Sequence, residues 1–228
     1  HRVNKTTVAI RTMSFDAERL RARLVGAKSE RLMLREPQLG DAIDLFEATQ
    51  HPAFNEHLMW HAPPNLAAVS QRVQRVIDRA AAGACAAFSA IDRATGRWAA
   101  LFRFEPREQA SSAELGLWAH PSYWGAGFGE EVTRLAIEQA FAKTELDAVV
   151  ACAKPQHKIS MRLLERCGLE PIGLAPRAHE GGYDVPLMQM LLTRTRWTWL
   201  RTESISGWMP DPVEIAEPME TPLRMQAQ

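Results

Sequence analysis

A short glycine-rich stretch is the part of this sequence best suited to chemistry. It runs from Trp124 to Gly129, reads WGAGFG, and separates an apolar run with strand character from a segment with helical apolar spacing. A turn of this kind gathers unpaired backbone N–H groups at one point, and the dipole of the following helix adds partial positive charge. Because glycine has no Cβ, a ligand can approach the main chain closely. The stretch therefore predicts a phosphate or diphosphate site.

Two nucleotide-binding motifs do not fit this stretch. A G-x-G-x-x-G motif that starts at Gly125 places its third glycine on Glu130. When it starts at Gly127, the third glycine falls on Val132. A Walker-type loop requires Gly-Lys-Ser/Thr where Glu130 and Glu131 stand. From these residues alone, a glycine-rich turn that binds no ligand remains the alternative interpretation.

The stretch resembles motif A of the GNAT superfamily, the acyl-CoA-dependent N-acetyltransferases, whose pattern is Gln/Arg-x-x-Gly-x-Gly/Ala. Trp124 takes the Gln/Arg position, and residues 123–131 are similar to the form found in the RimJ/RimL-like group. The resemblance implies acetyl-CoA (coenzyme A) as the acetyl donor. It assigns cofactor contacts to Trp124, Gly125, Ala126, Gly127, Phe128, Gly129 and Glu130.

The strand before the turn has a role by the same resemblance. The pantetheine arm of the cofactor is expected along Leu117, Trp118 and Ala119, where one backbone N–H would polarise the thioester carbonyl. Glu114 lies on this strand, where several family members carry the base that deprotonates the amine. A surface glutamate at the sheet edge is the alternative.

A second motif, residues 157–169, is similar to the RimJ/RimL-like pattern Asn-x-x-Ser-x-x-x-Leu-Glu-Lys-x-Gly-Phe. Leu164 occupies the position at which many members carry a tyrosine acid. The resemblance therefore gives Ser160 the role of proton donor to the leaving thiolate, besides a cofactor contact. His157 replaces the asparagine that contacts coenzyme A. For Ser160, an ordinary first-turn serine is the alternative.

The connector at residues 51–64 contains three histidines and several large apolar side chains. In GNAT proteins this segment lines the acceptor pocket, which implies Trp60 and His61 as substrate contacts. His57 and His61 form a single i, i+4 pair, and the prolines around them argue against the helix that a metal site would need. We predict no metal site.

Composition narrows the range of partners. The 228 residues are 46% hydrophobic and 24% charged with a formal net charge of zero, so no overall field favours nucleic acid or an acidic membrane. Apolar runs are too short to span a bilayer. The three cysteines lack metal-ligand spacing, and no secretory signal pattern precedes the fold, so we expect a cytoplasmic protein.

The order of elements predicts an α/β fold with a mixed, mostly antiparallel twisted sheet flanked by helices, as in a single GNAT-like domain. Predicted strands cover 30–37, 84–91, 97–104, 112–119, 146–153, 169–174 and 185–192. Predicted helices cover 41–50, 66–82, a segment from 128, 157–167 and 195–201.

Three regions are expected along the chain. Residues 1–28 are an N-terminal extension with one short amphipathic helix, interpreted as a solvated leader; a basic arm that binds a partner is the alternative. The acyltransferase domain covers 29–203, and a Pro-rich extended tail covers 204–228.

The expected function is acetyl-CoA-dependent transfer of an acetyl group to a primary amine, directly within a ternary complex. The acceptor would be a protein N-terminus or a small-molecule amine, with neither a nucleic-acid nor a membrane partner. A homodimer is left open. The rival hypothesis is a catalytically silent acyl-CoA-binding sensor or partner-binding module.

Overall fold

The computed structural model describes residues 15–107, 111–178, 182 and 184–204. The helices are α1 (Ala17–Leu24), α2 (Asp41–Thr49), α3 (Pro52–Glu56), α4 (Leu66–Ala81), α5 (Phe128–Lys143), α6 (Lys158–Arg166) and α7 (Arg194–Ser204). The strands are β1 (Leu32–Arg35), β2 (Ala86–Asp92), β3 (Trp98–Pro106), β4 (Ser112–Ala119), β5 (Ala148–Ala153), β6 (Glu170–Ala178) and β7 (Asp184–Thr193). All the strands predicted from sequence are present, and α3 is a short helix within the predicted connector.

The strands form one sheet in the order β1-β2-β3-β4-β5-β7-β6. Neighbouring strands are antiparallel except for β4 and β5, which run parallel. The crossover between these two strands contains α5, as parallel neighbours require. The predicted mixed, mostly antiparallel sheet is confirmed.

The two faces of the sheet carry separate hydrophobic layers. Phe102 and Phe104 of β3 point into a layer shared with α1, α5 and α6. Leu101, one residue out of phase, points into a second layer built with α2, α3 and α4. Trp118 of β4 packs against the edge of this second layer. The side-chain alternation along β4 therefore directs the side chains of Glu114 and Trp118 to the α2–α4 face.

Helix α1 is part of the main core. Ala17, Leu20 and Leu24 lie on one face of the helix and are buried against the sheet and α5. The interpretation as a solvated leader helix is wrong, because this apolar face has a partner that only the fold brings to it. The division at residue 28 stays a prediction, and the expected tail at 204–228 lies almost wholly outside the described residues.

Within the described ranges, no helix is long and apolar enough to cross a membrane. The same ranges contain no group of three or more His, Cys, Asp or Glu side chains that could hold a metal ion. Cys85 and Cys167 are buried, and burial raises the pKa of the Cys167 thiol to about 12. This thiol is therefore a packing group rather than a nucleophile.

Candidate functional site

The two parallel strands separate in the middle of the sheet. β4 pairs with β5 over Ser112–Glu114 only, opposite Ala148–Val150. Beyond Glu114, β4 continues to Ala119 along β3 without a further β5 partner. The separation opens a wedge whose β4 side is an unpaired strand edge.

Two residues of β4 direct their backbone groups into this wedge. The N–H of His120 donates to the carbonyl of Ala99 on β3 at 2.8 Å. Because backbone groups of successive residues point to opposite edges of a strand, Trp118 also faces β3, whereas Leu117 and Ala119 face the wedge. Of the three residues predicted to contact pantetheine, Leu117 thus offers its main-chain groups and Ala119 offers its N–H, because the Ala119 carbonyl accepts from Trp124 Nε1. Trp118 instead offers its indole ring to the α2–α4 face.

The glycine turn begins where the free edge of β4 ends. Gly125 and Gly127 have φ of +74° and +78°, a left-handed region that glycine adopts at little cost. Gly127 is the N-cap of α5, and its carbonyl accepts from the N–H of Glu131 at 3.0 Å. The backbone N–H groups of Phe128, Gly129 and Glu130, which come before Glu131 in the first turn, have no acceptor within the helix. This is a set of donors suited to a diphosphate.

Trp124, in the Gln/Arg position, closes the end of the wedge. Its Nε1 donates to the carbonyl of Ala119 at 3.0 Å. Its ring stacks on Phe54 with centroids 6.4 Å apart and meets the edge of His51 at 5.2 Å. The indole therefore links the turn to β4 and α3.

The two glutamates that follow the turn are both paired with arginine. Glu130 contacts Arg134 Nε at 2.9 Å and Arg166 Nη1 at 3.7 Å. Glu131 accepts from Arg31 Nε at 2.6 Å and from the Ser29 hydroxyl at 2.6 Å. Pairing both carboxylates keeps the helix N-terminus compatible with an anionic ligand.

Arg31 is also a brace for the turn itself. Its Nη1 donates to the carbonyl of Ala126 at 2.7 Å, and its guanidinium carbon lies 4.1 Å from the ring centre of Phe128. Burial alone would raise the pKa of Glu131, but hydrogen bonds from Ser29 and Arg31 lower it below its ordinary value. Glu131 is therefore held as an anion that anchors Arg31.

His157 and Ser160 lie together at the start of α6. His157 Nδ1 accepts from the N–H of Ser160 at 3.3 Å, so the imidazole caps the helix. Its ring lies 4.1 Å from that of His57. Burial, and next the nearby His57, lower the pKa of His157 to about 4. The neutral ring with Nδ1 as acceptor carries its proton on Nε2.

Glu114, the predicted base, stands at the narrow end of the wedge. Arg107 Nη1 and Arg177 Nη2 approach its Oε2 at 3.0 and 2.6 Å. Directly across the strand pair is Glu105, whose Oε1 lies 2.7 Å from Arg103 Nε. Glu114 is therefore part of an ion-pair network as well as a candidate for proton transfer.

The predicted acceptor contacts have different environments. Trp60 is buried, with its ring centre 5.5 Å from that of Trp118. The guanidinium of Arg72 lies 3.8 Å from the Trp60 ring centre. His61, the next residue, is exposed. The structure therefore places Trp60 against Trp118 of β4, whereas the side chain of His61 lies at the surface.

The model of the Acetyltransferase (GNAT) domain family matches residues 31–170, more than half of the chain. The chain belongs to the GNAT acetyltransferase family. This GNAT acetyltransferase is 25% identical to the uncharacterized N-acetyltransferase p20 of Bacillus licheniformis over 147 residues, 64% of this chain and 83% of the relative.

Solved structures give the same fold. A GCN5-related N-acetyltransferase from Brucella melitensis superposes with a TM-score of 0.67 at 16% identity, over 80% of this chain and 85% of that one. A spermidine N-acetyltransferase from Vibrio cholerae in complex with CoA and spermine gives 0.61 at 16% identity, over 75% and 99%. At these identities the likeness concerns the fold.

Acetyl-CoA is the donor that the GNAT acetyltransferase family uses. A Cβ at position 127 would lie 3.4 Å from Arg31 Nη2. Because Gly127 has none, the turn of this acetyltransferase leaves that space open and fits the diphosphate. The positive φ and the unpaired amides of the first turn of α5 meet the same requirement.

Sequence reasoning missed several residues of this GNAT acetyltransferase site. Ser29 and Glu131 hold Arg31 against the turn, and Arg107 and Arg177 hold Glu114. Arg31 lies in the strand predicted at 30–37, but no local pattern indicates its partner 100 residues away. Such pairs become visible only when the sheet brings the strands together.

Proposed function

We propose that this chain transfers the acetyl group of acetyl-CoA directly to a primary amine, within a ternary complex and in the RimJ/RimL-like manner. One observation carries the proposal: β4 separates from β5 after Glu114, and its free edge leads into a glycine turn at the N-terminus of α5. Such a wedge can hold an extended thioester arm and an anionic head at the same time.

The cofactor contacts follow from this geometry. The main-chain amides of Phe128, Gly129 and Glu130 hold the diphosphate, and residues 124–127 shape the turn around it. Leu117 and the N–H of Ala119 hold the pantetheine arm. His157, which caps the start of α6 through Nδ1, supplies an Nε2–H donor for the cofactor. The thioester supplies an activated acetyl group.

The proton steps use two side chains. Glu114 accepts, directly or through a water molecule, the proton that the attacking amine loses. A main-chain N–H of β4 polarises the carbonyl as the C–N bond forms and the C–S bond breaks. The Ser160 hydroxyl, in the first turn of α6, donates to the departing sulfur. The products are the N-acetylated amine and the free thiol of coenzyme A.

The remaining assignments complete the proposal. Trp60 and His61 belong to the acceptor side, residues 29–203 form the catalytic domain, and the protein acts in the cytoplasm. The acceptor is a protein N-terminus or a small-molecule amine. Leu164, which is buried, stands at the position where many family members carry a tyrosine acid. The lack of this acid is the reason to test the rival hypothesis of a silent acyl-CoA-binding module.

The experiment is thiol release from acetyl-CoA in the presence of a panel of amines and peptides, with mass spectrometry of the products. We expect an amine to gain one acetyl group in place of one hydrogen, together with acceptor-dependent thiol release. Tight acetyl-CoA binding without acceptor-dependent release would support the silent module instead.

A further inference from the structure

Two glutamates and four arginines form a network on the α2–α4 face of the sheet. Glu105 of β3 lies directly opposite Glu114 of β4, so both side chains leave the sheet on the same face. The arginines come from α4, β3, the end of β3 and β6, and are Arg79, Arg103, Arg107 and Arg177. Four cations against two anions leave an excess of two positive charges in this network.

The arginines retain donors for a ligand. Among the described residues, Arg107 Nη1 and Arg177 Nη2 both donate to the same Glu114 oxygen, and Arg177 Nη2 also lies 3.7 Å from Cys152 Sγ. A guanidinium has five N–H donors. The Arg177 side chain is 43% exposed. Within the described part of the chain, Arg177 is therefore accessible and has N–H donors that no described acceptor uses.

Aromatic rings extend this face along β4. The stack runs Arg72, Trp60, Trp118 and Arg103, with successive separations of 3.8, 5.5 and 5.3 Å. Trp118 is flanked by Leu117 and Ala119, whose main-chain groups face the wedge. The stack thus adds one further guanidinium group, that of Arg72, and links Arg103 of the network to the end of β4 where the thioester would lie.

One buried donor on this face has no acceptor. Trp60 is 6% exposed, and its Nε1 lacks a hydrogen-bond partner among the described residues. A buried N–H without a partner costs free energy unless an oxygen reaches it. A carboxylate or carbonyl oxygen of a ligand is the kind of group that would satisfy it.

We propose that the acceptor is an amine that also carries a carboxylate, which the face of Arg103, Arg107 and Arg177 holds beside the Trp60–Trp118 stack. This inference rests on the proposed function and narrows its acceptor class. A free amino acid and the N-terminus of an acidic peptide share the required chemistry. A polyamine would bring further positive charge to a face that already has an excess of it.

The same face assists the chemistry. A positive environment disfavours the ammonium form of a nearby amine, so the arginines increase the fraction of free amine that can attack the thioester. A carboxylate on the acceptor offsets the repulsion during binding. Arg107 and Arg177 act here as specificity-determining residues, through the acceptor and not through the acetyl group.

The test compares acceptors that differ in the charge they carry besides the reacting amine. Alanine is paired with alaninamide, a tripeptide with an acidic second residue is paired with its lysine counterpart, and spermine is the cationic reference. We expect kcat/KM about tenfold higher for each carboxylate-bearing member, equivalent to a single good charge-assisted contact. The amino-acid and peptide arms show which source the site prefers.

Variants test whether the arginine face causes the preference for acceptors that carry a carboxylate. Arg177→Gln should raise KM for the acidic acceptors and leave KM for acetyl-CoA unchanged, and Arg177→Glu should reverse the preference. Arg201→Gln is the matched control, because Arg201 is an exposed α7 arginine paired with Glu138 at 3.1 Å. Thermal unfolding of each variant shows that it is folded.

Three outcomes separate the hypotheses. Equal or better acetylation of spermine or alaninamide by a protein that releases thiol would overturn this inference and leave the proposed function intact. An unchanged preference in Arg177→Glu would overturn it too. No thiol release with any amine, despite acetyl-CoA binding, would refute the proposed function itself.

Discussion

Arg31 Nε lies 2.6 Å from Glu131 Oε2, which joins the start of β1 to the first turn of α5 across 100 residues of sequence. The same guanidinium donates to the carbonyl of Ala126 inside the glycine turn. The pair therefore serves two purposes: it neutralises a carboxylate at the end of a helix that would bind an anion, and it positions the turn.

Arg31→Gln should weaken coenzyme A binding about tenfold, because Glu131 would then face the diphosphate without its partner. Isothermal titration calorimetry with coenzyme A measures the change. The double variant with Glu131→Gln should recover part of the lost affinity, since the repulsive charge is also gone. Unchanged affinity in Arg31→Gln would show that the brace does not matter for the cofactor.

Gly127→Val should abolish measurable coenzyme A binding, because the side chain would occupy the cradle beside Arg31. The left-handed φ of +78° adds a cost of about 1–2 kcal/mol to folding. Gly83→Val is the control, since Gly83 has a similar φ of +72° with nothing near its Cβ position. Both variants should lose similar stability, and Gly83→Val should retain coenzyme A binding.

His157 should make the protein less stable as the pH falls from 6.5 towards 4. The native pKa of about 4 lies below the ordinary 6.5, so in this window the unfolded chain binds a proton that the native state does not. Stability therefore rises with pH across the window. His157→Asn keeps a helix-capping side chain but removes the titration.

Urea unfolding at pH 7 and pH 4.5 measures this effect. Wild type should lose on the order of 1 kcal/mol more than His157→Asn, a value reduced for the partial exposure of the ring. Equal losses in the two proteins would contradict the assignment.

Ser160→Ala should lower kcat at least tenfold with little change in KM for acetyl-CoA, because the hydroxyl is assigned to the transition state. The cap of α6 remains, since it uses the main-chain N–H of Ser160 and not the hydroxyl. Ser70→Ala on α4, where the hydroxyl donates to the carbonyl of Leu66, is the control for loss of a helix serine. Equal kcat values for wild type and Ser160→Ala would show that Ser160 is not the proton donor to the leaving thiolate.

Glu114→Gln separates a base from a structural anion. A base predicts a loss in kcat of about 10²-fold and the disappearance of the acidic limb of the pH–rate profile. A purely structural role predicts a lower Tm from the loss of the Arg107 and Arg177 ion pairs, with the profile unchanged. Glu138→Gln removes a comparable ion pair on α7 and should alter neither rate nor profile.

Much of the fold could be predicted because local patterns match local structure. The strand predicted at 112–119 is observed at the same residues, and the helix predicted at 66–82 ends one residue earlier. The site motifs could be placed for the same reason, since a glycine turn before a helix has a local signature. α3 was missed as a helix because five residues give no usable period.

Burial and pairing could not be predicted in the same way. The apolar face of α1 was identified, but its partner was not, so the helix was misread as solvated. His157 was recognised as a substitution in the second motif, whereas its stack with His57 was not. Glu114 was selected as a base before its two arginine partners were known.

The sequence by itself determined the order of elements, the glycine turn and the family to which the chain belongs. Only the tertiary structure decided which charges meet: Arg31 with Glu131, and Glu105 beside Glu114 within a network of arginines. The physical reason is the distance along the chain over which each effect acts. Periodicity and turn chemistry act over a few residues, whereas the strength of an ion pair depends on a separation in space that the folded sheet alone establishes.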